Sequence, residues 1–448
     1  MTERVSVVGL GKLGLGLALS FAKAGLRTVG VDVRPEHVAE LQRGRSPIVE
    51  PGYQETLSAV GASFTATTDM EDAIRETDVT FILTGTPSDA SGRFSSRDVE
   101  AAAREAGRAL RQIGKAHHLF VISSTLTPGT TERRVIPAIE ETSGRRLNRG
   151  FAVCYDPDFV ALGSVMHDFA NPEVVVIGES SPEAGQRVAA LHARIVQSRP
   201  AMSRMSIVSA EVAKVSLNAF ITLKIAFANT VGNLCEAIPG ADVDQITRAI
   251  GADRRISPHY FKGGLPFGGT CFPRDTHAFR AVCEEHGEDS SLMGAVAASN
   301  EWQHARLAAT ALSLAGPGAR VAVLGLAFKG GTPVIEASAG ARLAQALVQA
   351  GRAVTVYDRL APIETQQALA DGVHVARTAE EAMAGASVVV VTLTEPEYLK
   401  AVDAWRPGAP ATVLDCWRAL DGRTLDGLIT RVAMGRGVKP ADSGAMAA

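Results

Sequence analysis

The chain has 448 residues, of which 46% are hydrophobic, and its 45 Lys and Arg residues nearly balance its 48 Asp and Glu residues. This length is enough for two or three domains with a large core, and the balanced charge does not indicate nucleic acid or an anionic membrane as a partner. The five cysteines are scattered without a Cys-x-x-Cys pair, which argues against a disulfide framework and against a zinc site.

The N-terminus enters a predicted strand at residues 5–8 almost at once, which leaves no signal peptide. No apolar run looks long enough to span a bilayer, so we expect a cytoplasmic protein. The strand leads into the turn Gly9-x-Gly11-x-x-Gly14 and an apolar helix, and the next predicted strand ends in Asp32. Strand, glycine turn, helix, strand and acid in this order are typical of a dinucleotide-binding site.

The chemistry of this segment favours NAD as the cofactor. Glycines permit the tight turn, and the helix N-terminus attracts the pyrophosphate. Asp32 would accept hydrogen bonds from the adenosine ribose and repel a 2′-phosphate, although Arg34 nearby weakens this preference for NAD over NADP. The residues predicted here to contact the cofactor are Gly9, Gly11, Lys12, Leu13, Gly14 and Asp32. The alternative is an ordinary turn in a fold that binds no dinucleotide.

Alternating apolar strands and helices predict an α/β fold with two Rossmann-like doubly wound domains, joined by a long central helix and a helical middle region. The predicted boundaries are an NAD-binding domain at 1–203, a central helical and dimerisation domain at 204–315, a second Rossmann-like domain at 316–435 and a disordered tail at 436–448. The second α/β domain lacks a Gly-x-Gly-x-x-Gly turn, so we expect it to hold a different ligand, or the other half of a shared one.

Lys214 and Asn218 are four residues apart in a long apolar helical pattern, so they lie on one face of the predicted helix. Their apolar neighbours place at least one of them in an enclosed site, where an ammonium beside an amide can stabilise an oxyanion. The alternative is a Lys that extends into solvent beside an Asn on a solvated edge.

The loop Gly268-Gly269-Thr270-Cys271 is followed four residues later by Asp275. Glycines let the backbone approach a ligand closely, and a thiol held there can act as a covalent nucleophile if a base or cation favours its thiolate. Taken alone, Cys271 is more typical of a small buried residue. The other motifs of the chain change this balance.

Taken in order, these motifs resemble those of the UDP-glucose/GDP-mannose dehydrogenases, which are NAD-dependent four-electron oxidoreductases that act on nucleotide sugars. The resemblance extends over nearly the whole chain, from Val5 to about Leu420. The matching segments in chain order are 9–14 with Asp32, 85–87 with Gly92, 124–130, 211–220, 253–256, 261–275 and 325–329.

The resemblance implies a covalent mechanism with six catalytic residues: Cys271, Lys214, Asn218, Asp275, Thr125 and Asp158. Lys214, Asn218 and a water held by Asp275 would accommodate the oxyanion and proton while NAD⁺ takes hydride from the sugar C6. Cys271 would then form a thiohemiacetal that a second NAD⁺ oxidises to a thioester, and water would release the acid.

The resemblance also implies the remaining ligand contacts. Further cofactor contacts are Thr86, Pro87 and Thr125. The implied substrate contacts are Phe159, Leu162, Lys214, Asn218, Arg255, Tyr260, Phe261, Lys262, Gly268, Phe328 and Lys329. Arg255 would reach the site of a neighbouring subunit, so a homodimer is expected.

The chain departs from the family pattern at three positions. Asp158 and Leu162 stand where the family has two glutamates linked to water activation, and the shift of a carboxylate by one methylene can lower a rate strongly. Glu336 stands where the family has an arginine associated with substrate recognition. An acid is unfavourable near a diphosphate, so Glu336 either points away or serves an altered ligand.

We therefore predict NAD-dependent oxidation of UDP-glucose, or of a related UDP-hexose, to the uronic acid. One alternative is a two-electron oxidation that stops at the aldehyde, or oxidation of a specialised nucleotide or nucleoside conjugate. A 3-hydroxyacid or 6-phosphogluconate type of dehydrogenase would share the first domain and the Lys-x-x-x-Asn helix, but needs no thiol loop. A sensor that binds nucleotide sugars without catalysis would not need to keep Cys271, Lys214, Asn218 and Asp275.

Overall fold

Runs of β-branched and aromatic residues form two separate parallel sheets in the computed structural model, which describes residues 3–88, 92–369 and 371–438. The chain divides into two units, Met1–Leu217 and Asn218–Ala448. The division falls inside a long helix, Ile207–Ala237.

The sheet of the first unit has nine strands, all parallel except for one antiparallel pair between the seventh and the eighth strand. The strands are Val5–Val8 (β1), Thr28–Val31 (β2), Phe64–Thr67 (β3), Val79–Ile82 (β4), His118–Ile122 (β5), Arg146–Leu147 (β6), Gly150–Tyr155 (β7), Val174–Glu179 (β8) and Ala201–Met205 (β9). Their order is β3-β2-β1-β4-β5-β7-β8-β9, with β6 paired to β7. Helices cover both faces, so the central strands are buried and read as continuous apolar runs.

The described part of this unit has eight α-helices: Lys12–Lys23 (α1), Pro35–Gln42 (α2), Tyr53–Val60 (α3), Met70–Glu76 (α4), Arg97–Gln112 (α5), Ile136–Ser143 (α6), Val165–Ala170 (α7) and Pro182–Ile195 (α8). They pack into two apolar clusters, one that includes α1 and α8 and another that includes α5 and α6. A single π-helical turn, Thr131–Val135, precedes α6.

The second unit has six parallel strands in the order β12-β11-β10-β13-β14-β15. They are Arg320–Leu324 (β10), Ala353–Tyr357 (β11), Val373–Val375 (β12), Val388–Val391 (β13), Ala411–Asp415 (β14) and Ile429–Ala433 (β15). The helices are Ile207–Ala237 (α9, shared with the first unit), Val243–Gly251 (α10), Phe272–Glu285 (α11), Ser291–Leu314 (α12), Ala339–Gln349 (α13), Ile363–Gln367 (α14), Ala379–Met383 (α15) and Pro396–Ala404 (α16).

The two sheets use the same strand order around their first strand, which confirms the predicted class of two Rossmann-like α/β domains. The turn after the first strand has the same backbone conformation in both sheets. Gly9 and Gly325 have left-handed φ angles of 93° and 102°. A Cβ on Gly14 would lie 1.9 Å from the Gly9 carbonyl oxygen, and a Cβ on Gly340 would lie 2.2 Å from that of Gly325. Each strand–helix corner therefore needs two glycines.

Helix α9 corrects one expectation from the sequence, because by length and composition alone its 31 residues could cross a membrane. Long apolar core helices meet the same two criteria. The carboxylate of Glu211 and the amides of Asn218 and Asn229 on this helix are buried and hydrogen-bonded to protein groups.

The first residues of the predicted tail contact the loop at residues 240–242. Arg436 forms an ion pair with Asp242, and Gly437 exchanges backbone hydrogen bonds with residues 240–241. The start of the disordered tail at residue 436 stays a prediction. Residues 439–448, the rest of the predicted tail, lie outside the described residues.

Candidate active site

The glycine turn after β1 has the space that a dinucleotide pyrophosphate needs. Gly9 and Gly14 are packed against backbone, whereas a Cβ on Gly11 would meet no atom within 4 Å. Helix α1 begins directly after Gly11, without a side-chain cap and without an acid in its first turn. Its first N–H groups are therefore available to phosphate oxygens, and the turn fits the predicted NAD.

Gly11→Ala is expected to weaken NAD⁺ binding about tenfold or more without unfolding the protein, because its Cβ enters ligand space rather than protein. Gly14→Ala is the contrasting variant, since its Cβ overlaps the Gly9 carbonyl oxygen and overpacking costs about 1–3 kcal/mol of stability. Calorimetric titration with NAD⁺ and thermal unfolding would separate the two effects. An unchanged NAD⁺ affinity of Gly11→Ala would contradict this placement of the pyrophosphate.

Asp32 lies at the end of β2, where the sequence predicted the ribose-binding acid. It is 4% exposed and accepts hydrogen bonds from the backbone N–H of Leu10 at 2.8 Å and from Arg34. Burial raises the pKa of Asp32, but the hydrogen bonds and charge of Arg34 outweigh it and leave the pKa below its usual value. The carboxylate is therefore ionised and already bound to a cation.

The carboxyl ends of β4 and β5 carry a cluster of hydroxyl groups at the edge where α/β sheets bind their ligands. The Ser124 hydroxyl ties the two ends together, because it accepts from the Thr84 N–H at 2.9 Å and donates to the Thr84 carbonyl at 2.8 Å. Among the described residues, the hydroxyls of Ser123 and Thr84 are buried without a partner. Thr125 follows in the same loop and is half-buried. Of the two residues predicted on the β4 side, Thr86 is buried and Pro87 is exposed.

The ammonium of Lys214 is held inside the first unit by the segment after β7. Lys214 is 7% exposed, donates to the carbonyl oxygen of Asp158 and lies 4.9 Å from the ring centre of Phe159. Burial raises the pKa of the Asp158 carboxyl against the opposing charge of Lys214. A carboxyl with a raised pKa is suited to accept and return a proton. Leu162 instead packs against the apolar cluster that includes α1.

Glu211 is a positioning group to which the sequence assigned no role. It is fully buried, and its carboxylate accepts hydrogen bonds from the N–H groups of Gly129 and Thr131 and from the Thr131 hydroxyl. Burial raises the pKa of Glu211, and these donors oppose the rise. Glu211 lies three residues before Lys214, so it fixes the start of α9 to the loop that carries Thr125. An acid among apolar residues of a predicted helix was the signal available in the sequence.

A buried ion pair fixes the segment that carries Asp158. The Nε2 atom of His192 on α8 lies 3.0 and 2.9 Å from the two carboxylate oxygens of Asp156. Burial lowers the pKa of His192, but the Asp156 charge and hydrogen bond outweigh it and raise the pKa above its usual value. The strand end two residues before Asp158 is therefore held by a histidine whose protonated form the carboxylate favours.

The stability of the protein is expected to fall as the pH rises from about 6.5, the usual pKa of a histidine. A pKa that is raised in the folded state contributes stability below the unfolded-state value and loses it as the pH passes the folded-state value. Each unit of difference contributes about 1.4 kcal/mol. Urea unfolding at pH 6 and pH 8 would measure the loss, which should be smaller in His192→Gln. An equal loss of unfolding free energy in wild type and in His192→Gln would contradict the assignment of this pH dependence to His192.

Cys271 differs from the other cysteines in being exposed. Cys154, Cys235 and Cys416 are buried, Cys283 is half-buried, and burial raises the pKa of the Cys154 thiol to about 12. Cys271 is the residue from which α11 starts, so its Sγ lies at the positive end of a 14-residue helix. That position stabilises negative charge on sulfur.

Asp275 joins the thiol helix to α9. Its carboxylate is fully buried and accepts hydrogen bonds from the Asn218 amide at 2.6 Å and from the Arg274 guanidinium at 2.9 Å. Its N–H donates to the Cys271 carbonyl at 2.7 Å. The structure thus brings three of the predicted catalytic residues, Asn218, Asp275 and Cys271, together in the second unit.

The second unit contains a cavity of about 270 Å³ beside the β10–α13 connection. Its lining residues are Lys262, Leu265, Pro266, Ala327, Phe328, Lys329, Gly330, Ala339, Gly340, Thr392, Leu393, Thr394, Glu395 and Trp417. Three predicted substrate residues, Lys262, Phe328 and Lys329, line this cavity. Trp417 was missed: Lys262 lies 5.7 Å from its ring centre, and its indole N–H donates to the Thr392 carbonyl at 2.8 Å.

The predicted substrate residues Arg255, Tyr260, Phe261 and Gly268 of the second unit do not line this cavity. Phe261 is buried and its ring stacks on Phe227, and Gly268 packs against the Ala337 carbonyl. Tyr260 is half exposed. The Arg255 side chain is 84% exposed and forms an ion pair with Asp253 at 2.6 Å.

Arg418 holds the cavity wall in place. Its side chain is fully buried, forms a two-fold ion pair with Asp244 at 2.6 and 2.9 Å, and donates to the carbonyl of Gly263 at 2.7 Å. Gly263 and Arg418 adjoin Lys262 and Trp417 in the chain. This ion pair therefore fixes both sides of the Lys262–Trp417 contact.

Two acids of the second unit have structural contacts. Glu336 is exposed and does not line the cavity, while its carbonyl accepts from the N–H of Gly269 at 3.0 Å and so supports the thiol loop. Asp358, which follows β11, accepts from the N–H groups of Leu326, Ala327, Leu360 and Ala361 at 2.7–3.0 Å. Because these four donors fill its carboxylate, Asp358 acts as a turn former. In the part of the chain that the structure describes, no group of three or more His, Cys, Asp or Glu residues could hold a metal ion.

Three family models match the chain in succession. They are described as the NAD binding domain of the UDP-glucose/GDP-mannose dehydrogenase family at residues 3–196, the central domain of that family at 208–302 and its UDP binding domain at 322–422. The matched ranges contain the glycine turn, the Lys214 and Cys271 segments, and most of the cavity lining.

Curated relatives and a solved structure resemble nearly the whole chain. A UDP-glucose 6-dehydrogenase of Haloferax volcanii is 34% identical over 94% of this chain and 97% of its own length. A GDP-mannose 6-dehydrogenase of Pseudomonas putida is 33% identical over 79% of this chain and 80% of its own. The structure of a UDP-glucose dehydrogenase from Pyrobaculum islandicum superimposes with a TM-score of 0.86 at 33% identity, covering 98% of both chains.

Proposed function

Because the chain belongs to the UDP-glucose/GDP-mannose dehydrogenase family, we propose that it oxidises the C6 alcohol of a UDP-hexose such as UDP-glucose to the uronic acid. The predicted family, the NAD cofactor and the oxidoreductase class are confirmed: the protein is an NAD-dependent nucleotide-sugar dehydrogenase. The proposal adds the UDP-hexose, the four-electron course and a thioester on Cys271. The UDP binding domain description and the UDP-glucose relatives support the choice of nucleotide.

The observation that carries the four-electron course is the exposed thiol at the N-terminus of α11. A two-electron alcohol dehydrogenase has no use for a nucleophile at this point, whereas oxidation of an aldehyde to an acid needs an intermediate that can lose a second hydride. The buried Asp275 and Asn218 one helical turn away supply the hydrogen-bonding groups that such an adduct requires.

In the proposed first step, the C6 alcohol loses a proton and a hydride and becomes an aldehyde. NAD⁺, when bound at the glycine turn, supplies the hydride acceptor. Lys214 would hold the developing alkoxide, since its ammonium is desolvated and its hydrogen bond among the described residues is to a carbonyl. Thr125 would position the reacting oxygen from the loop that Glu211 fixes.

In the proposed second step, Sγ of Cys271 adds to the aldehyde carbon and the oxygen takes up a proton. The thiohemiacetal then loses the proton of its hydroxyl and the hydride of its carbon, which a second bound NAD⁺ would accept, and becomes a thioester. Attack by water breaks the C–S bond, releases the acid and returns the thiol. Covalent attachment keeps the aldehyde in place while the first NADH leaves. Overall, one alcohol, two NAD⁺ and one water give one acid, two NADH and two protons.

Asp158 is the group proposed to activate the hydrolytic water. Its raised pKa makes it a stronger base than an ordinary aspartate. Its shorter side chain and the packing of Leu162 into the core favour a second candidate, an enzyme whose oxidation stops at the aldehyde. The two candidates differ in the number of NADH molecules formed per sugar consumed.

We also propose a cytoplasmic homodimer. Phe220, Phe227 and Leu234 recur every seven residues on α9 and are 61%, 54% and 59% exposed. An exposed apolar stripe of this kind fits a second copy of the chain. Arg255 also extends from the surface, and we propose that it contacts the nucleotide sugar of the partner. The domain boundaries predicted from the sequence, at 203/204 and 315/316, remain part of this proposal.

The number of NADH molecules formed per sugar consumed tests the proposed function. Purified enzyme would be incubated with excess NAD⁺ and limiting UDP-glucose, UDP-galactose, UDP-N-acetylglucosamine or GDP-mannose. Two NADH per UDP-hexose is the expected result and shows that Asp158 suffices for hydrolysis. One NADH per sugar would favour the second candidate, and turnover of GDP-mannose alone would overturn the choice of nucleotide.

A further inference from the structure

The ribose-binding acid of the cofactor site is fully occupied by groups of the protein itself. Oδ1 of Asp32 accepts from the backbone N–H and from Nε of Arg34, both at 2.9 Å. Oδ2 accepts from the Leu10 N–H at 2.8 Å and from Nη2 of Arg34 at 2.9 Å. A carboxylate offers about four acceptor sites. A ribose hydroxyl can therefore bond to Asp32 only if the Arg34 guanidinium leaves.

The guanidinium is free to leave because its side chain is 42% exposed and its contacts among the described residues are with Asp32. A rotation of the side chain would keep the two backbone N–H donors on Asp32, so the carboxylate would retain part of its stabilisation. The released guanidinium would be a planar donor for a carboxylate or phosphate close to the 2′ position of the ribose.

The helix that follows Arg34 provides a second attraction for an anion. Arg34 precedes the first residue of α2, an eight-residue helix with Pro35 in its first turn and no side-chain cap. The N–H groups of such a turn have no partner within the helix, and the helix dipole favours negative charge there. Glu36 is the opposing acid in this turn and is exposed. Val33, between Asp32 and Arg34, is 85% exposed and offers an apolar surface to an adenine ring.

We propose that Arg34 makes the adenosine end of this site accept NADP⁺ as well as NAD⁺. With NAD⁺, the two ribose hydroxyls replace the guanidinium on Asp32. With NADP⁺, the guanidinium turns to the 2′-phosphate and offsets the charge that Asp32 would otherwise repel. The inference concerns the cofactor alone, so it does not depend on which sugar is oxidised.

Equilibrium binding of NAD⁺ and NADP⁺ to the full-length enzyme tests the proposal without turnover. We expect wild type to bind NADP⁺ within about 30-fold of NAD⁺, because a bidentate contact of the guanidinium with the 2′-phosphate offsets the charge of Asp32. Arg34→Ala should weaken NADP⁺ by about tenfold or more while NAD⁺ binds at least as tightly as before, since Asp32 is no longer occupied.

Arg43→Ala is the matched control, because Arg43 is an exposed arginine at the other end of α2 whose ion pair is with Glu40. It should change neither affinity. A preference of wild type for NAD⁺ beyond that limit would overturn the proposal. An equal loss of affinity for both cofactors in Arg34→Ala would overturn it as well. Unfolding temperatures of the variants would confirm that each is folded during the titration.

Discussion

Cys271→Ala is expected to form no sugar acid, with the rate of the second NADH falling about 10³-fold or more, as when a catalytic nucleophile is removed. The reason is chemical: without Sγ the aldehyde has no covalent partner, so no intermediate can lose the second hydride. The loss should not come from unfolding, because Cys271 is exposed and its side chain supports no part of the core. Product analysis together with NADH stoichiometry at limiting UDP-hexose would measure the effect.

Cys283→Ala is the control for this variant, since Cys283 lies on the same helix and its thiol is half-buried. It should retain two NADH per sugar. Two NADH per sugar from Cys271→Ala, at more than about 1% of the wild-type rate, would remove the thioester from the mechanism.

Lys214→Met should lower kcat about 10²- to 10³-fold, a loss typical of removing one group that stabilises a developing negative charge. Methionine keeps most of the length of the side chain and removes the Nζ that lies over the Phe159 ring, so the fold and the NAD⁺ affinity should change little. Steady-state kinetics with the UDP-hexose and calorimetric titration with NAD⁺ would show the two effects separately.

Lys224→Met on the same helix gives the comparison. The ammonium of Lys224 donates to the carbonyls of Ile256, Ser257 and His259, and therefore supports a loop rather than a reacting group. That variant should lose stability but keep most of its turnover per folded molecule. An active Lys214→Met, with kcat within a few-fold of wild type, would assign Lys214 a structural role.

The sequence predicted the architecture because its signals are local. The strand at 5–8, the glycine turn and Asp32 all lie within 32 residues, and the structure has them as β1, the β1–α1 turn and the end of β2. The strand 388–391 and its neighbours likewise formed the second sheet. The contact of Arg436 with Asp242 was not predicted, because it joins residues far apart in the chain and no local pattern encodes such a contact.

The candidate site could be predicted only where the spacing of residues in the sequence determines their position, as along one helix. Asn218 and Asp275 were both singled out, but their 2.6 Å hydrogen bond depends on how α9 and α11 pack. The sequence places Arg34 two residues after Asp32, but it does not show that the guanidinium of Arg34 donates to the Asp32 carboxylate. Trp417 carried no signal, because an aromatic residue after a predicted strand is far more often part of a core.

The two Rossmann sheets differ in the connection that follows their first strand. In the first sheet, residues 9–11 join β1 to α1. In the second sheet, the longer segment 325–338 joins β10 to α13, and Gly325 packs against Gly340 as Gly9 packs against Gly14. The longer connection carries Phe328 and Lys329 into the cavity and supports Gly269 through the Glu336 carbonyl. Mutations between Gly325 and Gly340 should therefore change the lining of this cavity while both sheets keep their structure, so this connection is the segment in which directed evolution of ligand selection should concentrate.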